Sequence, residues 1–203
     1  MRKEVIMNST GNPKDVETVS FAKKTVSTVF EWLETVILAF CFVAFVFTFM
    51  FKVVTVSGPS MNYTLYDGQK LIISSMFYTP ERGDIVVIDT EKFDEPIIKR
   101  IIALEGDTVE IDFDNWVTTV TTKEGKVIEY KNEPYVNTEE GGSMGYYDPA
   151  RFPLTVGEGE IFAMVDNRRH STDSRSRGCF RESEIIGKAI FRVWPMEKIG
   201  FLH

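Results

Sequence analysis

The longest apolar run of the chain is TVILAFCFVAFVFTFMF, from Thr35 to Phe51, followed beyond Lys52 by Val53 to Val56. About 17 consecutive residues without a charge just span a bilayer core, and the Lys52 stem can snorkel to the interface. A long segment precedes the run, it exceeds an ordinary h-region, and no small-x-small site follows it, so it reads as an uncleaved signal anchor. Just before it, DVETVSFAKKTVSTVFEWL (15–33) has Val16, Val19, Val26, Val29, Phe30 and Leu33 at partly helical spacing, which predicts an amphipathic helix leading into the span. Beyond the span the period changes from helical to alternating. KLIIS, DIVVIDT, PIIKRIIAL, DTVEIDF, KVIEY, EIFAMV and GKAIFRVW are short β-branched runs, mostly introduced by Asp-Gly, Arg-Gly or Glu-Gly turns. Such spacing predicts a mainly β protein: one transmembrane helix, then an all-β barrel or sandwich. Residues 112–155 are looser and predict an inserted hairpin with loops. The domains expected are a cytoplasmic segment 1–34, a membrane anchor 35–55 and an exported domain 56–203.

Charge fixes the expected orientation. Arg2, Lys3, Lys14, Lys23 and Lys24 precede the span, against Lys52 and Lys70 soon after it, so the N-terminus is expected in the cytoplasm. Residues 1–34 balance those cations with Glu4, Asp15, Glu17, Glu31 and Glu34, leaving the whole formal charge of −7 to the exported part. An acidic domain makes a poor general nucleic-acid binder. Of the two cysteines, Cys41 lies in the apolar run and Cys179 in a polar region, which speaks against a disulfide; the immediate neighbours of Cys179, Gly178 and Phe180, offer no base to activate it. No His/Cys/Asp/Glu cluster has metal-ligand spacing, and no glycine-rich phosphate loop is present, so neither metal nor cofactor is expected.

Three stretches carry candidate chemistry. In VSGPSMNYTLYDGQK (56–70), Gly58 permits close backbone approach and Pro59 stiffens the loop around Ser60, whose hydroxyl needs a base and oxyanion donors to act as a nucleophile. On residue type alone, Ser60 is equally an ordinary turn serine. In PIIKRIIAL, strand alternation sets Lys99 on a face with Ile97, Ile101 and Ala103, and Arg100 on the other with Ile98 and Ile102. Desolvation there disfavours the ammonium; moving it from about 10.4 to about 7 would represent roughly 4–5 kcal/mol. Arg100 cannot serve as the base, because a guanidinium keeps its proton. The plain alternative for Lys99-Arg100 is a solubilising pair on an edge strand. The third stretch, VDNRRHSTDSR (165–175), gathers Asp166, Asn167, Ser171, Asp173 and Arg175. Here Ser171 could orient a base and Asp173 could pair with Arg175. Arg168, Arg169, Arg175, Arg177 and Arg181 make it the most basic patch of an acidic domain, more consistent with a solvated loop than a nucleic-acid site. His170 competes with Lys99 as a base, but nothing in its loop activates it.

SGPSMNYTL, GDIVV, KRIIALEGDTVEI, DNRRHSTDSR and GKAIFRVWPMEKIG follow one another in an order and spacing that resemble the bacterial type I signal peptidases, membrane-anchored Ser/Lys proteases, in their compact Gram-positive, single-span form. The resemblance implies Ser60 as nucleophile and Lys99 as general base. It further implies Ser171 orienting Lys99, Asp173 and Arg175 supporting the site with Asp166 and Asn167, and the Ser60 N–H in an oxyanion hole. Gly58, where some members have serine, leaves that hole to main-chain donors. The implied substrates are secretory preproteins cut after small-x-small sites at the outer membrane surface, through an acyl-enzyme, with the translocase and membrane lipid as neighbours. Ser60 lies about nine residues beyond Phe51, at most about 30 Å of extended chain. Met61, Phe77, Tyr78 and Trp194 are candidates for lipid contact, although such residues are more often core. Two positions depart from the family pattern. Tyr63 replaces a usual proline and is expected to loosen the nucleophile loop. Val165 replaces a usual glycine and is expected to crowd the base. They motivate the alternative of a weakly active or non-cutting relative serving secretion or pilus assembly.

Overall fold

A computed structural model describes residues 13–136, 143–145, 148–169 and 172–202. The chain divides into two compact units, Met1–Phe49 and Met50–His203.

In the first unit a single helix, α1 (Pro13–Met50), joins the predicted amphipathic segment to the apolar run. Proline at its start is preset for the first helical position, and no glycine or proline interrupts the rest. The stretch long and apolar enough to cross a membrane is Thr28–Thr48, 21 residues. Its Trp32, Phe40, Phe42 and Phe45 are exposed, while Thr35 and Thr48 turn their hydroxyls back onto the carbonyls of Glu31 and Ala44 at 2.8 Å. That arrangement leaves an apolar surface with its hydroxyls satisfied internally, as lipid requires.

The second unit is built from two antiparallel sheets. The larger contains β1 (Phe51–Thr55), β2 (Lys70–Ser74), β11 (Ile185–Trp194), β3 (Ile85–Ile88), β4 (Ile97–Ala103), β9 (Glu160–Met164) and β10 (Phe180–Arg181), side by side in that order, with β12 (Gly200–Phe201) paired to β11. The smaller runs β7 (Val127–Tyr130), β6 (Val117–Thr121), β5 (Thr108–Asp112) and β8 (Leu154–Thr155). The seven predicted runs each contain a strand. The short strands and β6 were not predicted individually; β6 and β7 lie in the stretch expected to hold a hairpin.

One expectation is corrected at the end of the span. Phe51–Thr55, appended to the anchor by hydropathy alone, forms β1, with Val53 opposite Ile72 and Thr55 opposite Lys70. Its β-branched residues pair with β2 instead of continuing α1.

Both faces of the larger sheet are covered around β3. Ile85 and Val87 join Val56, Met61, Leu65, Leu71, Val165 and Leu202 in one cluster, and Val86 and Ile88 join Ile101, Ile161 and Phe180 in another. A third cluster joins Ile102, Phe162 and Met164 of the larger sheet to Val109, Phe113 and Val120 of the smaller sheet and its flanking turn. Between β4 and β9 the register shifts from Ile101↔Ala163 to Ala103↔Phe162, so Ile102 is the extra residue of a bulge. The predicted alternation therefore holds from Ile97 to Ile101, and Ala103 joins the cluster of Ile102 instead of the Lys99 side.

Candidate functional site

Ser60 lies in the turn that joins β1 to β2. The Gly58 N–H donates to Asp67 Oδ1 (2.8 Å), and within the turn Asn62 N–H donates to the Pro59 carbonyl (3.0 Å) and Leu65 N–H to the Met61 carbonyl (2.8 Å). Met61 and Leu65 are fully buried and anchor the turn on the core. Gly58 has φ +79°, while a Cβ there would meet nothing within 4 Å. Glycine is thus required for its backbone conformation, not for the close approach expected of it. Ser60 is half-buried. Among the described residues its N–H donates to no protein group, which leaves it available to an oxyanion.

Lys99 lies on β4, an interior strand hydrogen-bonded to β3 and β9. That excludes the solubilising edge-strand reading. The residue is 3% exposed, and its Nζ lies 5.8 Å from the centroid of the Phe93 ring. Burial lowers the ammonium from its ordinary value to about 8; the Asp173 carboxylate pulls the other way and Arg175 adds to the lowering. Ser60 and Lys99 line one cleft of about 260 Å³, with Val56, Met61, Phe93 and Ile98 among its other walls. Among the described residues no hydrogen bond directly links the two groups; catalytic contacts of this kind often tighten only when substrate is bound.

Behind the cleft stand two buried ion pairs. Arg175 donates from Nε to Asp173 Oδ1 (2.9 Å) and from Nη2 to Oδ2 (2.8 Å), and both residues are almost fully buried. Asp173 also caps the short helix α2 (Ser174–Arg177), accepting from the Arg175 N–H, and takes the Val165 N–H on its other oxygen at 3.0 Å. Burial alone would raise this carboxyl, but the Arg175 charge and the hydrogen bonds outweigh it and hold it below the usual carboxylate range. In the second pair Arg100 donates from Nε to Asp166 Oδ1 (2.9 Å) and from Nη2 to Oδ2 (2.8 Å). Asn167 ties this loop to the nucleophile turn, its N–H donating to the Ser60 carbonyl (3.0 Å) and its Nδ2 to the Pro59 carbonyl (3.2 Å).

Thus Ser60, Lys99, Asp166, Asn167, Asp173, Arg175 and Gly58 converge on one region. Ser171 and His170 lie outside the described residues. Other expectations are corrected. Arg168 and Arg175 are buried, so the basic patch is smaller than the sequence suggests. Met61 is core, and Tyr78 is half-buried with its hydroxyl on Asp84 at 2.7 Å, leaving Phe77 and Trp194 as the exposed candidates for lipid contact. Both cysteines are free, and burial first of all pushes the Cys179 thiol up to about 11, away from nucleophilic use.

The two departures resolve differently. Val165 has no positive φ, so the position does not need glycine for its backbone; its branched side chain is fully buried in the cluster of Val56, Met61 and Leu65. Tyr63 has φ +77°, a value proline cannot adopt. Proline is therefore incompatible with the turn as it stands here. Sequence reasoning missed Thr64, whose hydroxyl donates to Asp166 Oδ2, the Arg100–Asp166 pair, and Phe93 beside Lys99. The one available signal was a polar Arg100 alternating with isoleucines, which implies a buried partner for its charge.

A serine and a desolvated lysine lining one cleft of a β domain are the residue types a Ser/Lys hydrolase needs. The chain belongs to the signal peptidase family, peptidase S26, whose family model matches residues 29–194. It is 34% identical over 180 residues to signal peptidase I of Bacillus licheniformis, covering 85% of this chain and 92% of that protein. It is 33% identical over 193 residues to signal peptidase I T of Bacillus subtilis strain 168, covering 92% and 96%. Among solved structures, signal peptidase I from Enterococcus faecalis V583 aligns with a TM-score of 0.44 at 24% identity, over 55% of this chain and 97% of that one.

Proposed function

We propose that this protein is an active type I signal peptidase that removes signal peptides from secretory preproteins, with Ser60 as nucleophile and Lys99 as general base. The observation that carries the reading is the shared cleft: a serine whose N–H donates to no group among the described residues and a lysine amine depressed to about 8 line the same cleft. Neutral Lys99 Nζ takes the Ser60 hydroxyl proton as Oγ attacks the scissile carbonyl. The tetrahedral oxyanion is received by the Ser60 N–H, and the amine of the mature protein leaves with the proton from Lys99. Water, deprotonated by Lys99, then hydrolyses the ester and frees the signal peptide. Asp173, Arg175, Asp166 and Asn167 act by holding the loops, and Ser171 is assigned the orientation of Lys99. Small-x-small specificity, an acyl-enzyme, a cytoplasmic N-terminus, a single span and an extracytoplasmic catalytic domain (56–203) belong to the same proposal. So do work beside the translocase and lipid contact through Phe77 and Trp194.

The test is cleavage of a preprotein bearing a small-x-small site by the full chain in detergent or liposomes. Ser60→Ala and Lys99→Ala should each abolish it; activity persisting at the wild-type rate in either variant refutes the mechanism.

A further inference from the structure

We infer that the Thr64 hydroxyl is a positioning residue for the nucleophile, clasping the Ser60 turn to the Arg100–Asp166 pair and holding the turn in its left-handed conformation at Tyr63. The inference rests on the proposed peptidase reading, because it assigns Thr64 a role through Ser60. The near limb of the turn is fixed by Asn167, which donates to the carbonyls of Pro59 and Ser60. The far limb passes through Tyr63 at φ +77°, a region that residues other than glycine rarely adopt and that needs the surroundings to enforce it. Tyr63 is 46% exposed, so core burial does not supply that force.

The next residue adds a hold of its own. Thr64 Oγ1 donates to Asp166 Oδ2 and accepts from Arg100 Nη2 at 3.4 Å, so a single hydroxyl uses both its donor and its acceptor capacity on a buried ion pair. Arg100 follows Lys99 directly on β4. Asp166 therefore receives the nucleophile's turn from one side and the strand carrying the base from the other. The clasp sets the register between hydroxyl and amine without touching either, and a displacement of the order of 1 Å between reacting groups can cost about 100-fold in rate.

The experiment compares the full-length wild type with Thr64→Val, which keeps the shape and removes the hydroxyl, and Thr64→Ser, which keeps the hydroxyl. On a signal-peptide-bearing preprotein, Thr64→Val should lower kcat about 10- to 100-fold with KM within about twofold, and Thr64→Ser should recover most of it. Tyr63→Gly added to Thr64→Val should regain part of the loss, because glycine holds a positive φ without enforcement. An unchanged kcat in Thr64→Val, or no recovery with Thr64→Ser, overturns the clasp while leaving the peptidase reading intact. If the wild type does not cut the preprotein, that reading fails, and amide hydrogen exchange decides on the clasp alone. Exchange over residues 60–65 should then be about tenfold faster in Thr64→Val and restored in Thr64→Ser; equal rates in all three proteins overturn it.

Discussion

Lys99 shows how one buried amine links stability to chemistry. The descent from 10.5 to about 8 corresponds to about 3 kcal/mol of preference for the neutral form. Below pH 8 the folded protein carries a desolvated ammonium; between 8 and 10.5 it binds fewer protons than the unfolded chain, so its stability rises with pH across that window. Lys99→Met should remove that rise and stabilise the protein at pH 7 by about 2–3 kcal/mol, measured by chemical denaturation at several pH values. The same titration should give kcat/KM an acidic limb with an apparent pKa near 8, rising as the amine loses its proton. A limb centred near pH 6.5 would instead indicate a histidine. Tyr63 makes a second residue-level case. Tyr63→Pro should destabilise by more than about 1 kcal/mol, since the ring cannot reach a positive φ. Tyr63→Gly should be neutral or stabilising in thermal melts, and the opposite ranking would contradict the φ of +77°.

At the scale of elements, the loop from β9 to α2 is held by charges buried too deeply for salt to screen. Asp173 neutralises Arg175, caps α2 and receives the Val165 N–H. Asp173→Asn leaves the guanidinium buried without its partner and should cost about 3–5 kcal/mol at pH 7, nearly independent of ionic strength. Because the folded carboxyl is depressed, its contribution is complete above the unfolded value near 4 and is lost only as pH falls through the lower folded value. Beneath the neighbouring nucleophile turn, Val165 fills a core site. In Val165→Gly the cavity and added chain entropy should lower stability by about 2–4 kcal/mol in urea unfolding.

At the scale of the whole molecule, both sheets and all three core clusters lie within residues 50–203. A fragment beginning at Met50 should fold and melt in one cooperative transition. A fragment beginning at Ser57 loses β1 and Val56, exposing the edge of β2 and opening the cluster under the nucleophile turn. Its melting temperature should fall by more than about 5 °C against the longer fragment. Equal melting curves would mean that Phe51–Thr55 belongs energetically to the anchor and not to the β domain.

The sequence by itself determined what depends on period and local chemistry. Those features are the apolar helix, the alternating strands from Lys70 onward, the isoleucines flanking Lys99, and the ordered motifs that single out Ser60 and Asp173 as candidates. Each is written in neighbouring residues, so pattern suffices. Tertiary structure alone decided that Phe51–Thr55 pairs as a strand, that Val165 fits, that Tyr63 takes a left-handed turn and that Thr64 meets Asp166, 102 positions away. The physical reason is that partners for an edge, a cavity or a hydroxyl come from distant parts of the chain. Hydropathy ranks a residue's preference for leaving water without saying which neighbours will receive it.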